Sequence, residues 1–329
     1  MNLTGRREAL LNDLLAFVTA GRGCFNALAD AVCDWQSTAI PAYGRLVKSR
    51  AWAGGWRTAP LVPTSLYRDL DLTAASPRPL AATFRTSGTT GEGLRGTRRV
   101  PDLTLYHAAM VQPFVDYVLA GDRTPTLWWS LIPAAHELPD SSLSHMTSAL
   151  SEMFASEVVR TRPTSREPVV VMTTAFALMQ HLDATGPEAP PLAPGSRMML
   201  TGGFKGRSRE LDETALMALI EARLGIPPDD VVAEYGMTEL TSQAYGRPLV
   251  GPPWLKIRVV DPATGADLEP GQRGLVAFFD LLNLDNVSAV LTSDLGVLDR
   301  TGGLQLLGRA PGAILRGCSL TAEERGLAG

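Results

Sequence analysis

Three short stretches of this chain have residue types and spacing suited to chemistry, and all three suit a nucleotide. The first is Thr86-Ser87-Gly88-Thr89-Thr90-Gly91-Glu92-Gly93-Leu94-Arg95-Gly96. Its glycines let the backbone turn tightly and aim successive N–H groups at an anion, and Thr86, Ser87, Thr89 and Thr90 add hydroxyl donors. A polyphosphate needs such a cradle, and Arg95 adds a cation at its edge. A plain flexible surface loop has the same composition, but this one follows directly on a strand-like segment, a preferred place for a ligand.

The second stretch is Val231-Val232-Ala233-Glu234-Tyr235-Gly236-Met237-Thr238-Glu239. A β-branched strand here delivers an aromatic ring, a glycine, a hydroxyl and a carboxylate to its C-terminal end. Tyr235 is suited to stack on a purine, Thr238 to meet a phosphate, and Glu239 to offer a hard oxygen to Mg2+. The third is Leu291-Thr292-Ser293-Asp294-Leu295-Gly296, with Arg309 downstream. One carboxylate, that of Asp294, is able to accept hydrogen bonds from both hydroxyls of a ribose. Taken singly, Glu239 reads equally as a solvated carboxylate and Asp294 as a turn aspartate.

Two other phosphate motifs fail. A Walker-type loop ends in Gly-Lys-Ser/Thr, and Gly96-Thr97 has no lysine. Gly91-x-Gly93-x-x-Gly96 matches the dinucleotide fingerprint, but that fingerprint must open a helix. Here Thr97–Val100 followed by Pro101 reads as extended, and Asp116 falls within a helical pattern. No Gly-x-Ser-x-Gly elbow and no metal-type histidine pair is present among His107, His136, His145 and His181.

The elements that must position these residues follow from periodicity. Helical spacing covers 7–20 and 24–37, and Ala81–Arg85 reads as a strand entering the hydroxyl-rich loop. A strand near Thr97–Val100 and a helix over Leu103–Ala120 follow. Strands over Thr126–Ile132, Val169–Thr173, Arg197–Thr201 and Val231–Glu234 then alternate with helices over Leu143–Ser156, Phe176–Ala184 and Glu210–Leu224. That alternation argues for an α/β fold with mainly parallel sheet. Beyond residue 250 the pattern changes to short strands, Lys256–Val260, Gly274–Phe279, Ala289–Thr292 and Gly303–Leu307, joined by Gly, Pro and Asp turns. The expected organisation is an α/β core over 1–250, a smaller β-rich subdomain over 251–308 and a short tail over 309–329.

Composition bounds the rest. The chain has 329 residues, 45% hydrophobic and 19% charged, with a formal net charge of −4. That is an ordinary globular balance with ample core material, and it argues against nucleic acid as a partner. Cys24, Cys33 and Cys318 are too few and too scattered for a disulfide framework or a zinc site, which fits a reducing, cytoplasmic setting. The N-terminus does not read as a signal peptide. The longest apolar stretch, Val169 to Met179, is interrupted by Thr173 and Thr174 and falls short of the roughly 20 residues of a membrane span.

In this order, the three stretches resemble the adenylate-forming superfamily of acyl-CoA synthetases, luciferases and adenylation domains. A closer resemblance is to the acyl-protein synthetase branch of bacterial luminescence systems. It is carried by Phe25-Asn26-x-Leu28-Ala29, Pro60-x-x-Pro63-Thr64-Ser65, Ser130-Leu131-Ile132-Pro133, Asp140-Ser141-Ser142-Leu143-Ser144-His145-Met146 and Thr201-Gly202-Gly203-Phe204-Lys205. The tail Gly308-Arg309-Ala310-Pro311-Gly312-Ala313-x-x-Arg316-Gly317-Cys318-Ser319-Leu320 looks like it too. Arg95 stands where the glycine loop usually carries a lysine. The superfamily also has a C-terminal lid with a catalytic lysine, and this chain ends at Gly329, 20 residues after Arg309. The lid is therefore expected to be missing, as in the acyl-protein synthetase branch.

The resemblance implies ATP and Mg2+ as cofactors. Thr86, Ser87, Gly88, Thr89, Thr90 and Gly91, with Arg95, would hold phosphates; Gly202, Gly203, Tyr235 and Gly236 would line the nucleotide site. Glu239 would hold the metal and Asp294 the ribose, with Thr238 and Arg309 beside the reacting groups. A carboxylic acid, fatty or otherwise, would be activated as its acyl-adenylate and passed to a thiol, with an acyl reductase or carrier protein as the further partner. The branch acylates a cysteine near its own C-terminus, which singles out Cys318. Arg309 and Arg316 flank it and favour a thiolate; a small buried hydrophobe is the other reading of a single cysteine. His136 and His145 would border the acyl pocket. Direct loading of CoA or a carrier protein, or nucleotide binding without turnover, are the alternatives.

Overall fold

The computed structural model of the chain describes residues 2–75, 79–86, 95–124, 126–186, 189–202 and 212–310. It opens on three helices, α1 (Leu3–Ala20), α2 (Phe25–Ala39) and α3 (Pro41–Ser49). Asn2 starts α1 by accepting a hydrogen bond from the Gly5 amide at 2.9 Å, and Gly21 ends it in the left-handed conformation at φ 63°. A two-residue strand β1 (Val62–Pro63) follows, then the hairpin of β2 (Ala82–Arg85) and β3 (Thr97–Val100), which brackets the hydroxyl-rich loop. Because β3 is a strand, Gly91-x-Gly93-x-x-Gly96 does not open a helix, and the dinucleotide reading falls.

The middle of the chain runs α4 (Thr104–Tyr117), β4 (Leu127–Ser130), α5 (Ser142–Met153), β5 (Glu157–Val159), β6 (Val169–Thr174), α6 (Ala175–Thr185), β7 (Arg197–Thr201), α7 (Glu213–Leu224), β8 (Val231–Tyr235) and β9 (Ala244–Tyr245). Ser141, Thr174 and Asp212 cap α5, α6 and α7 with their side-chain oxygens. The strands form a six-stranded sheet in the order β5-β4-β6-β7-β8-β9, parallel except for the last pair.

Alternation along the strands sends successive side chains to opposite faces. Trp128, Val170, Met172, Met199 and Val232 pack under α4 and α5 with Phe84, Phe114 and Leu150. Trp129, Val171, Met198 and Leu200 pack on the other face against α6 and α7 through Leu178, Leu182 and Ile220. Covered on both sides, β6 is apolar at consecutive positions, as parallel strands are.

The last strands, β10 (Leu255–Val260), β11 (Arg273–Asp280), β12 (Ala289–Leu298) and β13 (Leu304–Arg309), build a second, mainly antiparallel sheet in the order β1-β12-β11-β10. β13 pairs with the second half of β12, beyond the short parallel pairing with β1. One face of this sheet packs Phe278, Val276 and Val290 against Leu240, Ala233 and Tyr235 at the end of β8. At the other end of its strands, Phe279, Leu281, Leu284 and Ala289 share a core with Leu14, Val32, Trp35 and Leu46 of the N-terminal helices. No helix among the described residues is long and apolar enough to cross a membrane.

Candidate active site

The hydroxyl-rich loop enters the described structure at its two ends. Thr86 and Gly96 close its base: the Thr86 amide donates to the Gly96 carbonyl at 2.9 Å, and the Gly96 amide donates to Thr86 Oγ1 at 2.9 Å. Arg95 braces the same base. Its Nε donates to the Thr86 carbonyl at 2.6 Å and its Nη1 meets Asp140 Oδ2 at 2.9 Å. Asp140 in turn accepts from the Arg85 amide through its own carbonyl at 2.8 Å. Arg95 is thus held by Asp140 at the mouth of the loop, partly exposed. Ser87, Gly88, Thr89, Thr90 and Gly91 lie outside the described residues, as do Gly203 and Cys318.

The C-terminal ends of β7 and β8 lie side by side and bring Gly202 next to Tyr235 and Gly236. Ligands in such sheets bind outside the carboxyl ends of the strands. Tyr235 stacks on Phe278, with ring centroids 5.5 Å apart and planes at 25°. Its hydroxyl donates to Asp294 Oδ2 at 2.7 Å, joining the end of β8 to the middle of β12. Arg309 is the β13 partner of Asp294 in register, and its Nε lies 3.5 Å from Asp294 Oδ1. Asp294 is buried while Arg309 reaches solvent, so the pair presents a carboxylate with a cation over it.

Gly236 is glycine for a local reason. A Cβ at this position would collide with Oε1 of Glu234, whose side chain folds back over the turn. The turn continues through Thr238 to Glu239, which is 4% exposed. Burial pushes the Glu239 carboxyl up to about 7, against the pull of its own backbone amide and of Arg98, Arg309 and Arg68. A buried carboxylate ringed by arginines fits a hard cation shared with a polyphosphate, since Mg2+ needs only one or two protein carboxylates when phosphates supply the other oxygens. Among the described residues there is no cluster of three or more His, Cys, Asp and Glu.

The residue that sequence reasoning missed is Arg98. It stands on β3, directly after the loop, and is wholly buried. Its guanidinium donates to the carbonyls of Leu240 at 2.6 Å and Thr238 at 3.3 Å, to Asn286 Oδ1 at 3.0 Å and Asn283 Oδ1 at 3.1 Å, and to the Thr241 hydroxyl. Asp280 anchors the same segment by accepting from the Thr241 and Ser242 amides, both at 2.8 Å, while Asn283 Nδ2 donates to the Glu239 carbonyl at 2.8 Å. One buried network therefore fixes the Glu239 turn to the strand that returns from the hydroxyl-rich loop. Its only sequence signal was an arginine at an inward position of a short strand.

Two histidines also come together. The rings of His107 on α4 and His145 on α5 stack at 5.3 Å and 7°, with Nε2 atoms 3.0 Å apart, beside Phe84 of β2. Burial lowers both imidazoles below the ordinary range. His107, which carries no role in the sequence reading, is half of this pair.

Comparison with known proteins bears on the family and the fold. The sequence model of the family described as acyl-protein synthetase, LuxE, matches residues 190–326, which bears out the resemblance over that stretch. No curated protein matches the sequence. ATP-bound MatB from Rhodopseudomonas palustris superposes with a TM-score of 0.52 at 21% identity, covering 72% of this chain and 49% of its own. VinN superposes with a TM-score of 0.51 at 16% identity, covering 71% and 62%. The chain spans about half the length of the MatB structure. The fold is that of the N-terminal domain of adenylate-forming enzymes, mixed α/β with several sheets, as the sequence led one to expect.

Proposed function

We propose that the chain activates a carboxylic acid with ATP, forming an acyl-adenylate and pyrophosphate, and transfers the acyl group to a thiol. The fold shared with the N-terminal domain of adenylate-forming enzymes and the acyl-protein synthetase match over residues 190–326 support AMP-forming activation as the reaction class. The observation that carries the reading is the junction of Tyr235, Asp294 and Arg309 where the end of β8 meets the middle of β12, with the buried Glu239 on the turn that follows β8.

In this reading the substrate carboxylate attacks the α-phosphorus and pyrophosphate leaves. Ordered donors do most of the catalysis by positioning and charge stabilisation. The loop from Thr86 to Gly91 cradles the phosphates, and Arg95 supplies positive charge at its mouth. Asp294 accepts from the ribose hydroxyls, with the Arg309 guanidinium beside it. Tyr235 and Gly236, with Gly202 and Gly203, give adenine a flat, close-fitting wall. Thr238 sits beside the α-phosphate. Mg2+, held by Glu239 and the phosphate oxygens, would neutralise charge on the departing pyrophosphate. The thiolate of Cys318 then attacks the acyl carbon, AMP leaves and a thioester forms; a reductase or carrier protein would draw on it. A reducing cytoplasm suits that free thiol.

Intact-protein mass spectrometry after incubation with ATP, Mg2+ and a panel of carboxylic acids tests this. A hydroxylamine-labile adduct at Cys318, absent from Cys318→Ala, is expected. Pyrophosphate release with no adduct would move the acceptor to CoA or a carrier protein. ATP binding without pyrophosphate release would overturn the activation step.

A further inference from the structure

On the face of β8 opposite Tyr235, a second group of polar side chains is left without a role by the nucleotide. Side chains alternate along a strand, so Tyr235 faces the second sheet while Glu234 faces α4. Thr201 on β7 and Tyr245 on β9 are the register partners of Glu234, so the three stand in a row across adjacent strands on this face. Glu234 is 4% exposed, Gln243 is equally buried, and Tyr245 is fully buried. Glu234 Oε2, Gln243 Oε1 and the hydroxyls of Thr201 and Tyr245 have no hydrogen-bond partner. An unpaired buried polar atom costs about 1–3 kcal/mol, so four together mark a place completed by something else.

The surroundings are otherwise apolar. Phe84 and Met110 belong to the same packed cluster as Tyr245. The row sits on the face of β8 opposite Tyr235, and Phe84, two residues before Thr86 at the start of the hydroxyl-rich loop, shares its cluster; in the activation reading a molecule on the row approaches the nucleotide from that face. Two of the four open atoms are acceptors only, and the two hydroxyls accept as well as donate. A carboxylate in an apolar wall calls for a cation.

We infer that Glu234, with Gln243 and Tyr245 beside it, binds a protonated amine on the acid to be activated, so that the substrate is an amino-substituted carboxylic acid rather than an alkyl one. This rests on the activation reading above. Burial pushes the Glu234 carboxyl up to about 7, with only the Thr201 hydroxyl pulling it back, so an incoming ammonium group supplies the counter-charge the site lacks. An alkyl chain in the same place would leave the Glu234 carboxylate without a counter-charge, which is how a polar pocket rejects an analogue lacking the matching group.

The test is acid-dependent ATP–pyrophosphate exchange on matched pairs: propionate against β-alanine and alanine, butyrate against 4-aminobutyrate, hexanoate against 6-aminohexanoate. The wild-type protein is expected to prefer the best amino acid over its alkyl match by at least tenfold. Glu234→Leu is expected to abolish that preference, and the shape-conserving Glu234→Gln to weaken it, with ATP binding by both variants kept. Exchange with alkyl acids only, or a preference untouched in Glu234→Leu and Glu234→Gln, overturns the inference and leaves activation standing. No exchange with any acid of either class overturns both.

Discussion

The hydroxyl of Tyr235 donates to Asp294 across 2.7 Å, and this one bond fastens the last parallel strand of the first sheet to the central strand of the second. A ribose on Asp294 and an adenine on Tyr235 would be held in fixed relation by it. A hydrogen bond to a charged group is worth about 1.5–3 kcal/mol, which as binding energy is about tenfold or more. Asp294→Asn is therefore expected to raise KM for ATP about tenfold in pyrophosphate exchange. Tyr235→Phe keeps the stack on Phe278 and should cost less. An Asp294→Asn enzyme with unchanged KM for ATP would remove the ribose from this carboxylate.

Glu239 gives a prediction with a sign. Burial pushes its carboxyl up to about 7 in the folded chain from an ordinary 4.5, so the neutral form persists to much higher pH than for an exposed glutamate. Metal binding needs the ionised form, so kcat/KM for MgATP at limiting Mg2+ should rise from pH 6 to 8. The stability contribution runs the other way: favoured while neutral, it is lost as pH rises from 4.5 through 7. Glu239→Gln should thus release pyrophosphate at least 100-fold more slowly yet unfold at a higher temperature than wild type at pH 8. Because Glu234 titrates in the same range, the comparison is between these two proteins rather than across pH for one. Full activity in Glu239→Gln would end the metal assignment.

How far the sequence spoke depended on whether the information was local. Val169–Thr174 announces a buried strand by its own composition, and Thr97–Val100 shows its extended form through the Pro101 that follows. Tyr235, Glu239 and Asp294 stand out in the sequence because their residue types and order are unusual together, and the structure joins two of them, Tyr235 and Asp294, by a hydrogen bond. The helix α3 was missed because Pro41, Gly44 and its short length obscure the periodicity. The strand β9 is two residues long and exists through pairing with Tyr235 and Glu234. Arg98 was missed for the same reason: its acceptors lie 140 or more residues away, at Thr238, Leu240, Asn283 and Asn286, and no local pattern announces them.

The His107–His145 pair predicts a titration. With Nε2 atoms 3.0 Å apart, at least one ring must be neutral for the two to share a proton, and burial favours the neutral form in both. Nitrogen-detected NMR should show both imidazoles titrating below the ordinary 6.5. Since the folded values are depressed, the protein loses stability as pH falls below 6.5, where the unfolded chain takes up protons first. His145→Phe should flatten that loss in thermal unfolding between pH 5 and 7. Ordinary titration of both rings would mean that they do not stack in solution.

Arg98 predicts the largest loss of stability. Its five acceptors come from the Glu239 turn and from the turn after β11, and Asp280 secures the same segment through the Thr241 and Ser242 amides. Arg98→Met removes the side-chain donor to the Thr238 and Leu240 carbonyls and to Asn286 Oδ1, and removal of one member of a buried ionic network costs about 3–5 kcal/mol. Arg98→Lys keeps a charge, but an ammonium group with three donors cannot reach acceptors spread over two turns, so most of the loss should remain. Urea denaturation should show both, with the midpoint falling and the slope unchanged. The more telling readout is Glu239, whose ionisation Arg98 favours. Where enough Arg98→Lys folds to assay, the pH dependence of kcat/KM should stay near that of wild type. In Arg98→Met it should move to higher pH, with weaker Mg2+ activation. A pH profile identical in both variants would reduce Arg98 to a structural tie with no influence on the carboxylate it supports.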